Sequence, residues 1–173
     1  MGRAEQSRTP SGCAVTVRPV GASDEVEWLR MRMLLWPEEA SDHAQEIRAY
    51  LADGIWPWSE SFLATAVFVA GRPAGGLCGL LEASVRPYAE GCAARPVGYV
   101  EGWFVDDDMR RLGVGRVLVE VAEHWAAGRG RREMASDAHP DNQVSLAAHA
   151  ALGFAEVGRA VHLRKRLPLT EPN

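Results

Sequence analysis

The stretch from Tyr99 to Val117 constrains the fold of this chain more than any other. It reads Tyr-Val-Glu-Gly-Trp-Phe-Val-Asp-Asp-Asp-Met-Arg-Arg-Leu-Gly-Val-Gly-Arg-Val. An apolar run fit for a buried strand leads into a charged turn, and the turn into the glycine-rich start of a helix. The turn carries Arg110-x-x-Gly113-x-Gly115. Glycines admit otherwise forbidden backbone angles and let the chain approach a ligand closely. The first amides of a helix have no partner inside it and point outward. Together they predict a pocket for a phosphate or pyrophosphate. Two common phosphate loops are excluded. A dinucleotide fingerprint needs a third glycine where Leu118 stands, and no Gly-Lys-Ser/Thr run occurs.

Around this stretch the chain reads as alternating elements. Ala14 to Val20 is β-rich. A helix capped by Ser23 or Asp24 follows, with Val26, Leu29, Met33 and Trp36 on one face, and Pro37 ends it. Ser41 to Asp53 predicts a polar helix closed by Gly54, and Ile55-Trp56-Pro57-Trp58 an aromatic loop. Ser61 to Ala70 and Pro73 to Val85 form a hairpin about Gly71-Arg72. A loop from Arg86 to Pro96 carries Tyr88, Glu90 and Cys92, and Val97 to Val105 is the central strand.

Gly113 to Gly128 is the clearest helix. Val114, Val117, Leu118, Val121, Ala122 and Trp125 form one apolar stripe opposite Arg116, Glu120 and Glu123. A short strand, Arg131 to Asp137, precedes a helix opened at Asp141 or Asn142 and stopped by Gly153. Phe154 to Val157 and Ala160 to Leu167 read as a final strand pair. The order β-α-α-β-β-β-α-β-α-β-β predicts an α/β layered domain with a mixed sheet. Residues 1–13 read as a flexible tail and 14–173 as one domain, a length sufficient for a proper core.

Composition narrows the function. The formal net charge of −4 disfavours a nucleic-acid partner and suits a cationic substrate. Cys13, Cys78 and Cys92 lack paired spacing, which points to a reducing cytoplasm. No apolar run reaches membrane-spanning length, and the five histidines lack metal-site spacing.

Two motifs in order carry a resemblance. The (Arg/Gln)-x-x-Gly-x-(Gly/Ala) loop after a strand resembles the coenzyme A loop of the GCN5-related N-acetyltransferase superfamily. Asn142, Ser145, His149 and Leu152-Gly153-Phe154 then match the helix that, in that superfamily, closes over the pantetheine arm. Leu35-Trp36-Pro37, Tyr88-x-x-Gly-Cys92, Val100-Glu101-Gly102, Arg132-Glu133-Met134-Ala135-Ser136-Asp137 and Leu163-Arg164-Lys165-Arg166 narrow it to the bacterial aminoglycoside 6'-N-acetyltransferases. The similarity spans about residues 15 to 167.

The resemblance implies a mostly antiparallel mixed sheet flanked by helices and splayed at its central strands. It implies acetyl transfer from acetyl-CoA to the 6'-amine of an aminoglycoside by direct attack on the thioester, in an enzyme that is often dimeric. Trp36, Tyr88, Glu101 and Asp137 would line the acceptor site. Trp103, Phe104 and Val105 would hold the acetyl and pantetheine groups, with Asn142 beside them. Arg110, Arg111, Leu112, Gly113, Val114, Gly115 and Arg116 would bind the pyrophosphate. His149 stands where many members hold a tyrosine that protonates the thiolate. Gly158 stands where close relatives often carry a glutamate, with Glu156 two residues earlier.

The residues support this chemistry independently. An amine must be neutral to attack a thioester, so the site must attract a cation and then take its proton, and carboxylates do both. Glu101 lies in the central strand and Asp137 at the end of the next. A glutamate inside an apolar run is costly to bury without a partner. Histidine can donate a proton near neutral pH. Backbone amides at a bulge in the central strand could stabilise the oxyanion. Another amine acceptor (a peptide N-terminus, an amino acid or a polyamine) and a non-catalytic acyl-CoA or drug binder remain as alternatives.

Overall fold

A computed structural model describes residues 5–8, 14–37, 40–54, 56 and 61–166. Trp58 of the aromatic loop and Leu167 of the last expected strand lie outside the described residues. The elements are β1 (Glu5–Arg8), β2 (Ala14–Pro19), α1 (Glu25–Leu35), α2 (Ala40–Asp53), β3 (Ala64–Gly71), β4 (Leu77–Arg86), β5 (Val97–Val105), α3 (Val114–Ala127), β6 (Met134–Ser136) and α4 (Gln143–Ala151). The strands form one sheet in sequence order. All neighbours pair antiparallel except β5 and β6, which run parallel.

The sheet has an apolar core on each face. Val114, Val117, Leu118 and Ala122 of α3 pack with Val15, Val17, Phe68, Leu81 and Val100 on one side. Trp28 and Met31 of α1 and Ile47 of α2 pack with Val67, Val69 and Leu80 on the other. Burying a side chain such as Leu80 or Leu81 contributes about 1.5–3 kcal/mol before entropy is counted. β4 and β5 lie between these layers, which explains why their sequences read as near-continuous apolar runs.

Four local expectations change. The stretch read as a tail contains β1, whose residues Glu5 to Arg8 pair with Val17 to Ala14. The turn between β3 and β4 is longer than Gly71-Arg72. It spans Arg72 to Gly76, closed by Arg72 N–H donating to Gly76 O at 2.9 Å, and Gly75 and Gly76 hold left-handed φ of 95° and 79°. The buried face of α1 is Trp28, Met31 and Arg32, while Val26 and Met33 are exposed. A buried arginine on this face defeats a pattern based on apolar residues. Finally, 154–166 has no strand pairing, and Val157, Val161 and Leu163 are exposed.

Candidate active site

The site is built on β5. The β4–β5 ladder pairs Glu82 with Gly102 but Ala83 with Val100, so Glu101 is the extra residue of a β-bulge. Beyond the bulge β5 stays paired with β4 as far as Val105. The ladder to β6 stops at Val100 and Ser136. Residues 101–105 therefore border a wedge between strands that diverge, with a backbone edge turned towards it.

The charged turn closes one end of that wedge. Arg111 has φ 61° and Gly113 φ 87°, and Gly113 starts α3 without a side-chain cap. Left-handed residues in a turn gather backbone N–H groups into an anion-binding concavity. The next three amides, of Val114, Gly115 and Arg116, precede the first intrahelical bond, from Val117 N–H to Gly113 O. A β-carbon on Gly115 would come within 2.6 Å of the Trp103 ring, so only glycine lets α3 sit this close to β5. The neighbouring guanidinium groups already have protein partners. Arg110 pairs with Asp107 at 2.9 Å and donates to Val105 O at 3.0 Å, and Arg116 donates to Ala151 O at 3.0 Å. The turn thus offers an anion its backbone, with these two side chains bracing it.

Helix α4 lies across from the turn. Asn142 caps it by accepting from Ser145 N–H at 3.0 Å. His149 is half-buried, edge-on to the rings of Trp103 and Phe154 at 5.2 Å each. Its Nδ1 is 2.8 Å from Ser145 O, so this nitrogen carries a proton. Its Nε2 is 3.0 Å from Ser136 Oγ, itself 3.3 Å from Val100 O. Neutral His149 accepts from the Ser136 hydroxyl. Protonated His149 donates to it, and the hydroxyl turns to Val100 O. The imidazole can change charge without losing a partner.

On the α1–α2 side of β5 is a cavity of about 320 Å³. Trp36, Trp56 and Phe62 give it apolar walls, and Arg32, Glu46, Glu82 and Glu101 give it charge. Trp36 stacks over β5 where Gly102 has no side chain, and a β-carbon there would run into the indole. Glu82 is fully buried, and its Oε1 accepts from Trp28 Nε1 at 2.7 Å and lies 3.3 Å from Arg32 Nε. Arg32 is closer to Glu46, at 2.7 Å. Burial pushes the Glu82 carboxyl up to about 7, further than Arg32 and the Trp28 hydrogen bond lower it.

Glu101 is paired as well as cavity-lining. Arg86 grips both its oxygens, through Nε at 2.8 Å and through Nη2, and Ser84 Oγ donates to it. The Arg86 guanidinium lies 3.5 Å from the Tyr99 ring centre, and Tyr99 donates to Asp137 Oδ1 at 2.6 Å. Burial and the hydrogen bond to Asp137 hold the Tyr99 phenol above its usual range. Glu101 and Asp137 are thus joined through Arg86 and Tyr99. Tyr88 is exposed on the 86–96 loop, 6.0 Å from the Arg95 guanidinium. That loop is pinned by Glu133, which accepts from Ala94 N–H, and Val157 packs on Gly91.

The sequence reading singled out Trp36 and Glu101 of the cavity but not Glu82, Arg32 or Arg86. One signal was present for Glu82. It interrupts the apolar run Leu77 to Val85 in the way Glu101 interrupts its own strand. Among the described residues no cluster of three or more His, Cys, Asp or Glu could hold a metal ion.

A bulged central strand, a wedge beside it and a helix start without a side-chain cap at its mouth thus come together at one end of the sheet. The chain belongs to the GNAT acetyltransferase family, whose model matches residues 26–154. It is 43% identical to the aminoglycoside N(6')-acetyltransferase type 1 of Klebsiella aerogenes, across 87% of this chain and 96% of that protein. The enzyme of the same name from Stenotrophomonas maltophilia is 36% identical, across 89% and 95%. Among solved structures, the aminoglycoside 6'-N-acetyltransferase AAC(6')-Ih of Acinetobacter baumannii matches with a TM-score of 0.78 at 35% identity, over 89% of this chain and 99% of that one. AAC(6')-Iy in complex with the bisubstrate analogue CoA-S-monomethyl-acetylneamine matches with a TM-score of 0.76 at 32% identity, over 88% and 99%.

Proposed function

We propose that this chain transfers the acetyl group of acetyl-CoA to the 6'-amine of aminoglycoside antibiotics. The observation that carries the reading is the position of Glu101. It bulges from β5 into an acidic, tryptophan-walled cavity, beside a wedge that ends in the backbone concavity of 110–116. The cofactor's anionic and extended parts fit what the wedge offers, which is the start of α3 with no side chain at Gly113 or Gly115 and the backbone edge of β5 at 103–105.

In this reading the amides of 111–116 bind the pyrophosphate, and the edge of Trp103, Phe104 and Val105 lies along the pantetheine. Asn142, with its Oδ1 engaged in capping, fixes the start of α4 beside it. Acetyl-CoA supplies the electrophilic acyl carbon. Glu101 and Asp137, with Trp36 and Tyr88, hold the polycationic acceptor. Arg86 keeps the Glu101 carboxylate oriented until an ammonium competes for it. His149 passes a proton through the Ser136 hydroxyl to the departing thiolate and takes one back from solvent after the product leaves.

Segment 154–166, which forms no strand, and the outer edge of β6 support a homodimer in which the segment of one copy covers the edge of the other. Glu156 would then stand near the boundary, held by Arg159 at 2.7 Å. A cytoplasmic enzyme fits the cysteine spacing. No helix among the described residues is long and apolar enough to cross a membrane.

The test is thiol release from acetyl-CoA across kanamycin-type and gentamicin-type substrates, simple amines and peptides. Release with aminoglycosides bearing a 6'-amine and none with their 6'-hydroxyl counterparts is expected. Release with peptides or polyamines alone would overturn the acceptor assignment.

A further inference from the structure

We propose that Glu82, on β4, is the group that takes the proton from the acceptor ammonium, while Glu101 holds that ammonium in place. The inference rests on the acetyl-transfer reading above and assigns the proton transfer to a residue one strand further into the molecule.

Three observations carry it. First, Glu101 is poorly placed to act as a base. Oε1 accepts from Ser84 and Arg86 and Oε2 from Arg86, so its charge is already compensated while a lone-pair site on Oε2 is left to orient an ammonium. Second, Glu82 borders the same cavity, opposite Gly102 and next to the bulge. Trp28 Nε1 donates to its Oε1 at 2.7 Å and Arg32 Nε approaches the same oxygen at 3.3 Å, which fixes the carboxyl at the cavity wall. Third, its environment favours proton uptake near neutrality. From α1 it is faced by Trp28 and Arg32, from α2 by His43, Glu46 and Tyr50, and from β5 by Glu101 with Arg86 behind it. Arg32 lies nearer to Glu46 than to Glu82 and divides its charge between them. Burial then dominates, and the carboxyl rises to about 7. A base acts best with an affinity for protons close to the working pH.

The step balances. An ammonium bound at Glu101 gives one proton to the Glu82 carboxylate and becomes a neutral amine. Its nitrogen lone pair forms the C–N bond with the thioester carbon. The C–S bond then breaks, sulfur keeps the electron pair, and the remaining excess proton on nitrogen reaches the thiolate by way of His149 or water. Glu82 returns its proton to solvent when product leaves, so each turnover releases one proton, one thiol and one amide.

The test uses the full-length enzyme and separates kcat from KM across pH. Wild type should lose kcat/KM below about pH 7 as Glu82 becomes protonated. Glu82→Gln should lower kcat about 100-fold, leave KM within a few-fold and abolish the acid limb. Glu101→Gln should raise KM and keep the limb. Wild-type kcat with an unchanged limb in Glu82→Gln would overturn the proposal.

Should Glu82→Gln fail to fold, Glu82→Asp carries the test. It retains a carboxylate, so a limb with a shifted midpoint supports the proposal and an unmoved limb overturns it. Infrared titration of protonated carboxyl groups in the wild type gives a readout independent of turnover. A band lost with a midpoint near pH 7, and absent from the Glu82 variant, is expected. No aminoglycoside turnover by wild type, with that band present, would defeat the acceptor reading and not the titration of Glu82.

Discussion

The two sides of β5 are built from different materials. Towards α1 and α2 the strand faces charged side chains: Arg32 and Glu82, which are buried, and Glu46 and Glu101, which are partly buried. Towards β6 and α3 it faces backbone, a turn with two left-handed residues and a helix start without a side-chain cap. In the function proposed above, the division follows the ligands. A carrier shared by many enzymes can be held by groups every residue possesses, so long as glycine gives access. An acceptor defined by its ammonium groups needs carboxylates, and carboxylates in a cavity need arginines to remain ionised.

The contrast predicts that the acceptor side responds to pH and charge and the cofactor side to side-chain bulk. The largest effect concerns Glu82. Its folded-state proton affinity is raised, so the folded protein holds a proton between about pH 4.5 and 7 that the unfolded chain has lost. This stabilising contribution is fully present below pH 4.5 and disappears as the pH rises through 7. It is worth on the order of 3 kcal/mol. Denaturant melts of wild type and Glu82→Gln from pH 4.5 to 8 should show stability curves that diverge over this window, and parallel curves would contradict it.

Next is Gly102→Ala. The new methyl displaces Trp36 and should cost about 2 kcal/mol. Calorimetry should show weaker acceptor binding with CoA binding intact. Gly115→Ala is the mirror test: the methyl meets Trp103, so it should weaken CoA binding at least tenfold, by about 1.4 kcal/mol, and leave the acceptor side unchanged. If both variants damage both ligands equally, the two sides are not separable.

Smaller again, Asn142→Ala removes the α4 cap at about 1 kcal/mol in thermal melts. Arg86→Gln loses a partly exposed pair worth about 1 kcal/mol or less in stability. Its sharper consequence is a changed KM for cationic acceptors with an unaltered CoA affinity.

The cofactor side was the more legible in sequence because its determinants are local. Gly113 and Gly115, the α3 stripe and the cap at Asn142 all lie within a few residues of what they organise. The acceptor side was legible only in part. Glu101 stood out, but its meaning depends on Arg86, fifteen positions away across a hairpin. Arg32 and Glu82 meet across the helix–sheet interface, and no local period reports that contact. The same pairing explains the misread face of α1, where a charged residue occupies an inward position. The strand pair expected after Phe154 is absent from the described residues: a strand forms only against an edge, and local pattern does not say where an edge will come from.

The shortness of β6 has a practical side. Among the described residues it closes the sheet with three residues, and its outer rim is uncovered. A long bare rim would recruit any extended polypeptide and seed aggregates. One of three residues offers too few bonds to template unrestricted growth, yet enough to register a matched segment whose neighbouring side chains add selectivity. Brevity here acts as a filter against casual strand pairing.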